Sequence, residues 1–504
     1  MCDLGTLLPL SVLVSSVAWT YTHDRVGRPL VEYGSCEIAM SLGADPQLAI
    51  NASHAALFTA CALLPAAHAV CDPPTIQPLL SAASPGDVIE LPDGVYSGEG
   101  NVNLSFEGKA LTLRSASGDP AACVIDCNAL PGTQVQGFLF THSEGTDAVI
   151  EGITIRRAWT GNYGGAIYCY KGASPTIRNC VLRQNQAAKG AAIGCISGGS
   201  VVVEDCEFYG NTAELGGVFY SRGACEASFT GCHFHDNVAD ADPGAGGAAY
   251  LDGGSQSFID CTFEDCLASG GPAKGGAVCC RNGTTASFTD CVFRSNASTG
   301  DASGGAAYAL EASPTFSGCL FVGNEAALDG GAFSGVDAEA VFFSCTFSNN
   351  ESIQGGASRC CGESVVLFEG CTFSANHSFG AGGCLSMGCS AGFTLSHCLI
   401  VASEGAPVID NTGSAVIGLT CCNLYGNEGG DWVGVIEDQA EVGGNLSVDP
   451  QLCSPVPDEH ENWTLQSDSP CLAPACGPIG AWGAGCADTP ARSTSWGAIK
   501  AAYR

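Results

Sequence analysis

The chain is built on a repeat that leaves little choice of fold class. One unit reads Gly216-Gly217-Val218-Phe219-Tyr220 and then Cys232-His233-Phe234-His235-Asp236-Asn237. The next reads Gly246-Gly247-Ala248-Ala249-Tyr250 and then Cys261-Thr262-Phe263. The leading glycines are Gly164, Gly190, Gly216, Gly246, Gly275, Gly304, Gly330, Gly355 and Gly382, at steps of 25–30 residues between Tyr163 and Ser403. A unit this short cannot bury its own apolar face. Stacked copies can, so the period marks a solenoid. The pattern within a unit predicts a strand after Gly-Gly, a turn, a second strand ending near Cys-x-Phe-x-x-Asn, and a loop to the next Gly-Gly.

A length of 504 residues would ordinarily suggest several domains. A solenoid lengthens without widening its core, so that inference lapses. Charged residues make up only 14% and glycines number 68, which suits short strands and tight turns. The net charge of -33, from 51 acidic and 18 basic residues, excludes nucleic acid and anionic membranes as partners. The same charge serves solubility and could attract cations. Of the 31 cysteines, nine share one repeat position: Cys180, Cys206, Cys232, Cys261, Cys291, Cys319, Cys345, Cys371 and Cys398. A recurrent interior position implies small, buried, free thiols. No Cys-x-x-Cys pair with zinc-ribbon spacing is present.

Residues 1–69 read differently from the rest. Leu7 to Trp19 is apolar but short for a bilayer span. A second apolar run, Ala55 to Ala67, leads into Ala67-His68-Ala69, a small-x-small cleavage signature. The expectation is an export leader, with residues 1–39 an upstream extension if Met40 is the true start. The mature chain is then secreted or displayed at the cell surface, monomeric, with no transmembrane span. Thr75 to Ala83 predicts a capping helix with a proline in its first turn. Val88–Leu91, Leu111–Leu113 and Val124–Asp126 predict strands, and Pro85-Gly86-Asp87 and Asp93-Gly94 predict turns. After Ser403 the repeat loosens, and the run from Asn445 through Cys453, Cys471, Cys476 and Cys486 is expected to cover the open end of the stack, with those cysteines bridged. Residues 487–504 form a polar tail.

The opening from Thr75 through Pro85-Gly86-Asp87 to Gly94-Val95-Tyr96 and Lys109-Ala110-Leu111-Thr112 resembles that of secreted bacterial right-handed parallel β-helix proteins of the pectin-lyase-like superfamily. The Gly-Gly-Ala-Ile and Phe-x-x-Asn repeats resemble those of chlamydial polymorphic outer-membrane proteins. The resemblances span about Thr75 to Cys486. They imply an all-β, right-handed parallel β-helix solenoid of about twelve coils over residues 70–486, with a short N-terminal capping helix. The superfamily includes lyases, hydrolases and adhesins, so the resemblance bears on fold more than on activity.

Strand alternation sorts the side chains. Ile167/Cys169, Ile193/Cys195, Phe219/Ser221, Ala249/Leu251, Val278/Cys280 and Ala307/Ala309 should point inward, as should Cys232 and Phe234. Asn185, Asn211, Asn237, Asn296, Asn324, Asn350 and Asn376 form a further row, broken at Cys266 and Ser403. Asparagine tolerates the left-handed conformation of a sharp turn, so the row reads as a structural ladder ahead of a ligand-binding one.

The outward residues of the Gly-Gly strand carry the candidate site. Tyr220/Arg222, Tyr250/Asp252, Cys279/Arg281 and Tyr308 lie in successive coils, and Tyr168 and Tyr170 lie two coils before Tyr220. Aromatic rings with interleaved charges suit a sugar chain, the rings covering its apolar face and the charges bonding hydroxyls or carboxylates. The plainer alternative is an exposed cross-strand ladder with surface ion pairs. An enzyme would need an acid and a base converging in one groove. Pectate-lyase relatives use acidic residues that hold calcium and a basic residue that abstracts a proton, but only Asp252 beside Arg222 or Arg281 approaches such a set. His233, His235, His377 and His397 share no column, so no metal site and no cofactor are expected, calcium being the one cation the resemblance admits. Two functions remain: a β-helix that binds or adheres to a polysaccharide or cell-surface glycan, and a polysaccharide lyase or glycoside hydrolase on the same scaffold.

Overall fold

The computed structural model describes residues 75–453, 463–472 and 476–485, together with backbone strands between residues 12 and 40. The apolar run Ala55–Ala67 and cleavage signature of the expected leader, Cys486 and the tail 487–504 lie outside the described residues.

Each turn of the repeat contains four short parallel strands where the pattern predicted two. In the turn that opens at Gly216 they are Phe219–Arg222, Ser228–Thr230, His233–His235 and Val238–Asp240. Two single-residue corners make the extra strands. Gly231 (φ 64°) bends the chain just before Cys232, and Asp236 (φ 53°) bends it just before Asn237. Asp205, Asp260 and Asp290 occupy the first corner in other turns, and Gln184, Asp265, Ser295 and Asn349 the second. The left-handed residue therefore precedes the ladder asparagine, contrary to the expectation that the asparagine itself adopts that conformation. The bend leaves the asparagine side chain free to turn inward.

Like strands of successive turns pair in parallel and in register, and the stack runs to about 13 turns. The Gly-Gly strands form an 11-stranded sheet from Phe138–Phe140 to Ile409–Asn411. The Cys-x-Phe strands form a 13-stranded sheet from Gly94–Ser97 to Asn423–Tyr425. The Ser-Phe strands that precede each cysteine belong to a 15-stranded sheet, and those that follow each asparagine form a 10-stranded one. The glycine pair is required by contact. Gly216 has φ 63°, and a Cβ there would strike the Phe219 carbonyl; a Cβ on Gly217 would strike the Gly247 carbonyl of the next turn.

The inward assignments hold. Ile167, Cys169, Phe219, Ser221, Leu251, Phe234 and Phe321 are fully buried. Phe208, Phe234, Phe263, Phe293, Phe321, Phe347 and Phe373 stack face to face at 4.8–4.9 Å. A second column, Phe229, Phe258, Phe288, Phe316, Phe342 and Phe368, stacks at 4.8–4.9 Å and meets the first edge-on. Burying each ring contributes about 1.5–3 kcal/mol, so the twin columns dominate the core. The nine repeat cysteines lie beside them, buried and free. Their thiols donate to carbonyls, as Cys319 does to Phe288 O at 3.4 Å.

The asparagine ladder is buried and hydrogen-bonded from turn to turn. Asn211 Nδ2 donates to Leu182 O (2.8 Å) and Asn237 Oδ1 (3.0 Å), while Asn211 Oδ1 accepts the backbone N–H of Asn185 (3.0 Å). At the predicted break, Cys266 donates its thiol to Phe234 O (3.5 Å), taking over the bond an asparagine amide makes elsewhere. At Ser403 the row resumes through Asn427, whose Oδ1 accepts the Ser403 N–H at 2.9 Å.

The N-terminal end is closed by the expected helix, Ile76–Ala82, which buries Ile76 and Leu80. Asn101 Oδ1 accepts the Ile76 N–H at 2.9 Å and satisfies one of the free donors of its first turn. At the other end Gly434–Gln439, a 3₁₀ turn, plugs the stack with the fully buried Ile436. The following segment covers the open end as expected only at its start, where Leu446 bridges Asn423 and Asn445 Oδ1 accepts the Cys422 N–H at 2.9 Å; the rest does not. Instead it straps back along the Cys-x-Phe sheet: Gly480 N–H donates to His397 O (2.8 Å), Ala481 N–H to Thr372 Oγ1 (2.9 Å) and Trp482 Nε1 to Thr346 Oγ1 (2.7 Å). Leu465, Cys471 and Ile479 pack on Leu399 and Val401. A disulfide joins Cys421 to Cys476, and Cys453 is also disulfide-bonded. Cys471, expected to be bridged, is a buried free thiol that accepts from Asn423 Nδ2 at 3.2 Å. Among the described residues no helix is long and apolar enough to cross a membrane.

Candidate functional site

The structure brings the predicted tyrosines together but covers them. Tyr220 and Tyr250 stack at 5.5 Å, and Tyr163 lies 5.5 Å from Tyr220. Tyr220, Tyr250 and Tyr308 are 2%, 6% and 6% exposed, so the expected open aromatic face is instead a small buried cluster outside the main core. The cause is the residue before each glycine pair. Leu215, Ala245, Lys274, Ser303 and Asp329 bridge one another in parallel and lay a rail alongside the rings. Lys189 sits 5.4 Å over Tyr220 and Lys274 5.0 Å over Tyr308. Burial pushes the Tyr250 hydroxyl above its usual range, against the pull of Arg281, whose Nη1 donates to it at 3.3 Å. Tyr168 is partly exposed and stacks at 5.9 Å on Tyr170. Arg222 is exposed, with its Nε 3.7 Å from Asp252 Oδ2, and Asn282 also donates to Asp252. No second carboxylate joins Asp252 among these contacts.

A different face carries the convergent chemistry. On the Cys-x-Phe strands the residues on either side of each phenylalanine point outward. In successive turns the second of these positions holds Arg183, Tyr209, His235, Glu264 and Arg294, in direct register. The first holds Glu207 beside His233. All are partly exposed. His233 and His235, two apart on one strand, have ring centroids 4.5 Å apart, and Tyr209 stacks on His235 at 5.0 Å. His235 Nε2 meets Glu207 Oε1 at 3.1 Å, and its Nδ1 meets Asp236 Oδ2 at 2.8 Å. His233 Nε2 lies 3.4 Å from Glu264 Oε2, and Arg294 Nε 3.9 Å from Glu264 Oε1. Arg183 lies 5.8 Å over Tyr209.

These contacts shift the ionisations together. The hydrogen bond from His235 holds the Glu207 carboxyl below its usual range, and the bond from His233 does the same for Glu264. Burial pushes the His235 imidazole down, but Glu207 and Asp236 outweigh it and the group titrates above its ordinary value. Burial, aided by Glu264 and Asp236, raises Asp265 at the adjoining corner. The row thus offers an imidazole poised as acid or base, carboxylates to orient it, a tyrosine face and two guanidiniums.

The strap decides where this row is accessible. Thr346, Ser348, Thr372 and Ser374, on the same face further along, are fully buried. From Arg183 to Arg294, about 19 Å at the spacing of parallel strands, the second-position side chains stay partly exposed, while Thr262 and Val292 in the first position are buried. The expectation that the histidines share no column is therefore corrected for His233 and His235, which meet on one strand. The signal lay in the residues one and three after each repeat cysteine: Glu207 and Tyr209 after Cys206, His233 and His235 after Cys232. His397 stands apart, with Nε2 2.8 Å from Cys476 O beside the Cys421–Cys476 disulfide. His377 packs against Phe379 at 4.3 Å.

The sequence family described as "Right handed beta helix region" matches residues 99–252 and 246–427, well over half of the chain. Two solved structures are similar. The Azotobacter vinelandii mannuronan C-5 epimerase AlgE6 A-module is 13% identical with a TM-score of 0.30, over 75% of this chain and 95% of that one. The AlgE4 A-module of the same organism is 15% identical with a TM-score of 0.24, over 70% of this chain and 92% of that one. By sequence, no curated protein matches the chain.

Proposed function

Since the chain belongs to the right-handed β-helix region family, we propose that it is a secreted or cell-surface carbohydrate-binding protein whose ligand lies along the open stretch of the Cys-x-Phe sheet. The observation that supports this reading is the in-register row Arg183, Tyr209, His235, Glu264 and Arg294, partly exposed and lying short of the strap. A sugar chain along the stack would meet the Tyr209 ring as an apolar platform. Arg183 and Arg294 would donate to hydroxyls or carboxylates, and Glu207 and Glu264 would accept. The Tyr220–Tyr250 pair is buried and serves the scaffold, with Tyr168, Arg222 and Asp252 at its rim. A glycan array, followed by titration of the best glycan, tests the reading. Tyr209→Ala should weaken binding roughly tenfold, about 1.4 kcal/mol, with the fold unchanged. Undiminished binding by that variant moves the ligand off this face.

A second reading, a polysaccharide lyase or hydrolase, draws on one feature: His235 is held between two carboxylates and against Tyr209, an arrangement suited to moving a proton. Product analysis on the bound glycan separates the two. Chain cleavage that falls by orders of magnitude in His235→Gln, while binding persists, favours the enzyme.

A further inference from the structure

The geometry points to a divalent transition-metal site formed by Glu207, His233 and His235 on the outer face of the Cys-x-Phe sheet. One donor atom from each residue already lies within 4.8 Å of the other two, and Glu207 Oε1 and His235 Nε2 are 3.1 Å apart. A tetrahedral ion with bonds near 2.1 Å holds its donors about 3.4 Å apart, so a modest rotation of His233 completes the set. Two imidazoles and one carboxylate suit zinc and its neighbours in the first transition row and do not suit calcium, which takes oxygen ligands. The surroundings act as a supporting shell. Asp236 on Nδ1 of His235 fixes the tautomer that turns Nε2 toward Glu207, and the Tyr209 ring holds the imidazole plane. Glu264 Oε2, 3.4 Å from His233 Nε2, adds a further carboxylate beside the second imidazole. All three donors stand on paired strands, so their backbones are set by the stack. The fourth position faces solvent along the open row, where water or a ligand oxygen would complete the shell.

This inference stands whether or not the row binds carbohydrate, because its test uses metal alone. The full chain is stripped with a chelator and titrated with Co2+, then with Zn2+ in competition. The expected result is one Co2+ bound with visible bands of nitrogen and oxygen ligation, without thiolate charge transfer, and displaced by Zn2+. Glu207→Gln or His235→Gln should lower affinity on the order of a hundredfold, and Asp236→Asn about tenfold. Ca2+ should not compete. Zn2+ should also shield His233 and His235 of the unaltered protein from diethylpyrocarbonate, a readout that needs no variant to fold. The inference is overturned if no stoichiometric binding occurs. Binding with a thiolate band, or binding indifferent to both substitutions, also overturns it, because the ion then sits elsewhere.

Discussion

Tyr220 and Tyr250 show how little of a side chain's role is set by the direction in which it leaves its strand. Both point away from the central core, yet each is nearly inaccessible and stacked on its neighbour. Replacing either with alanine should therefore cost about 2–4 kcal/mol, as for a buried aromatic ring. Denaturant melts of the single variants check this; unchanged midpoints would mean that the rail residues do not cover the rings. Asp126 provides the pH prediction at the same scale. Burial pushes its carboxyl up, but the Arg157 and Arg156 guanidiniums and the Asn128 N–H outweigh that, and it titrates below the usual range. A depressed folded-state pKa contributes stability that is complete above the unfolded value of about 3.9 and is lost as pH falls through the folded value. The unaltered chain should lose stability in that acid window, and Asp126→Asn should flatten the loss while lowering stability at neutral pH. Parallel acid dependence in the two proteins would remove Asp126 from the account.

Among the elements, the asparagine ladder is the one whose chemistry can be edited rung by rung. Asn324 Nδ2 donates to Phe293 O (2.9 Å), and its Oδ1 accepts the Asn296 N–H (3.1 Å). Asn324→Ala leaves the Asn296 N–H buried and unpaired and removes one of the bonds to Phe293 O, at about 1–3 kcal/mol. The reverse edit is more telling. Cys266 keeps the bond to the Phe234 carbonyl but offers Asn237 only a sulfur. Cys266→Asn should rejoin the two halves of the ladder and raise stability by about 1 kcal/mol. A lower unfolding midpoint for Cys266→Asn would show that this corner is shaped for sulfur. The ladder's membership was legible in the spacing of Asn185 to Asn376. Its geometry was not, because the bend falls on the preceding residue, whose identity varies among Gln184, Gly210, Asp236 and Ser295.

At the scale of the whole molecule, the stack has one continuous buried interior lined by thiols. Beside the repeat column, burial pushes the thiols of Cys266 and Cys360 up to about 12, and the thiolate is the form that reacts; in the column itself, burial keeps reagent away. Alkylation of the native, unreduced protein should label Cys389, which is exposed, and more slowly the half-buried Cys361. The column from Cys180 to Cys398 should stay unmodified until the chain unfolds. Mass mapping reads this directly. Labelling along the column under native conditions would mean that the turns open individually.

The repeat by itself determined the solenoid, the inward face of each strand and the buried cysteine and asparagine rows. Each of these follows from contacts between equivalent residues of neighbouring turns, which a period of 25–30 residues already encodes. The tertiary structure alone decided which outward faces are open. The rail from Leu215 to Asp329 covers the tyrosines, and the strap ending in Trp482 covers Thr346 and Thr372, a contact spanning 136 residues. Alternation says only that a residue leaves the core. Whether it meets solvent depends on where irregular segments lie down, and those carry no period from which their course can be read.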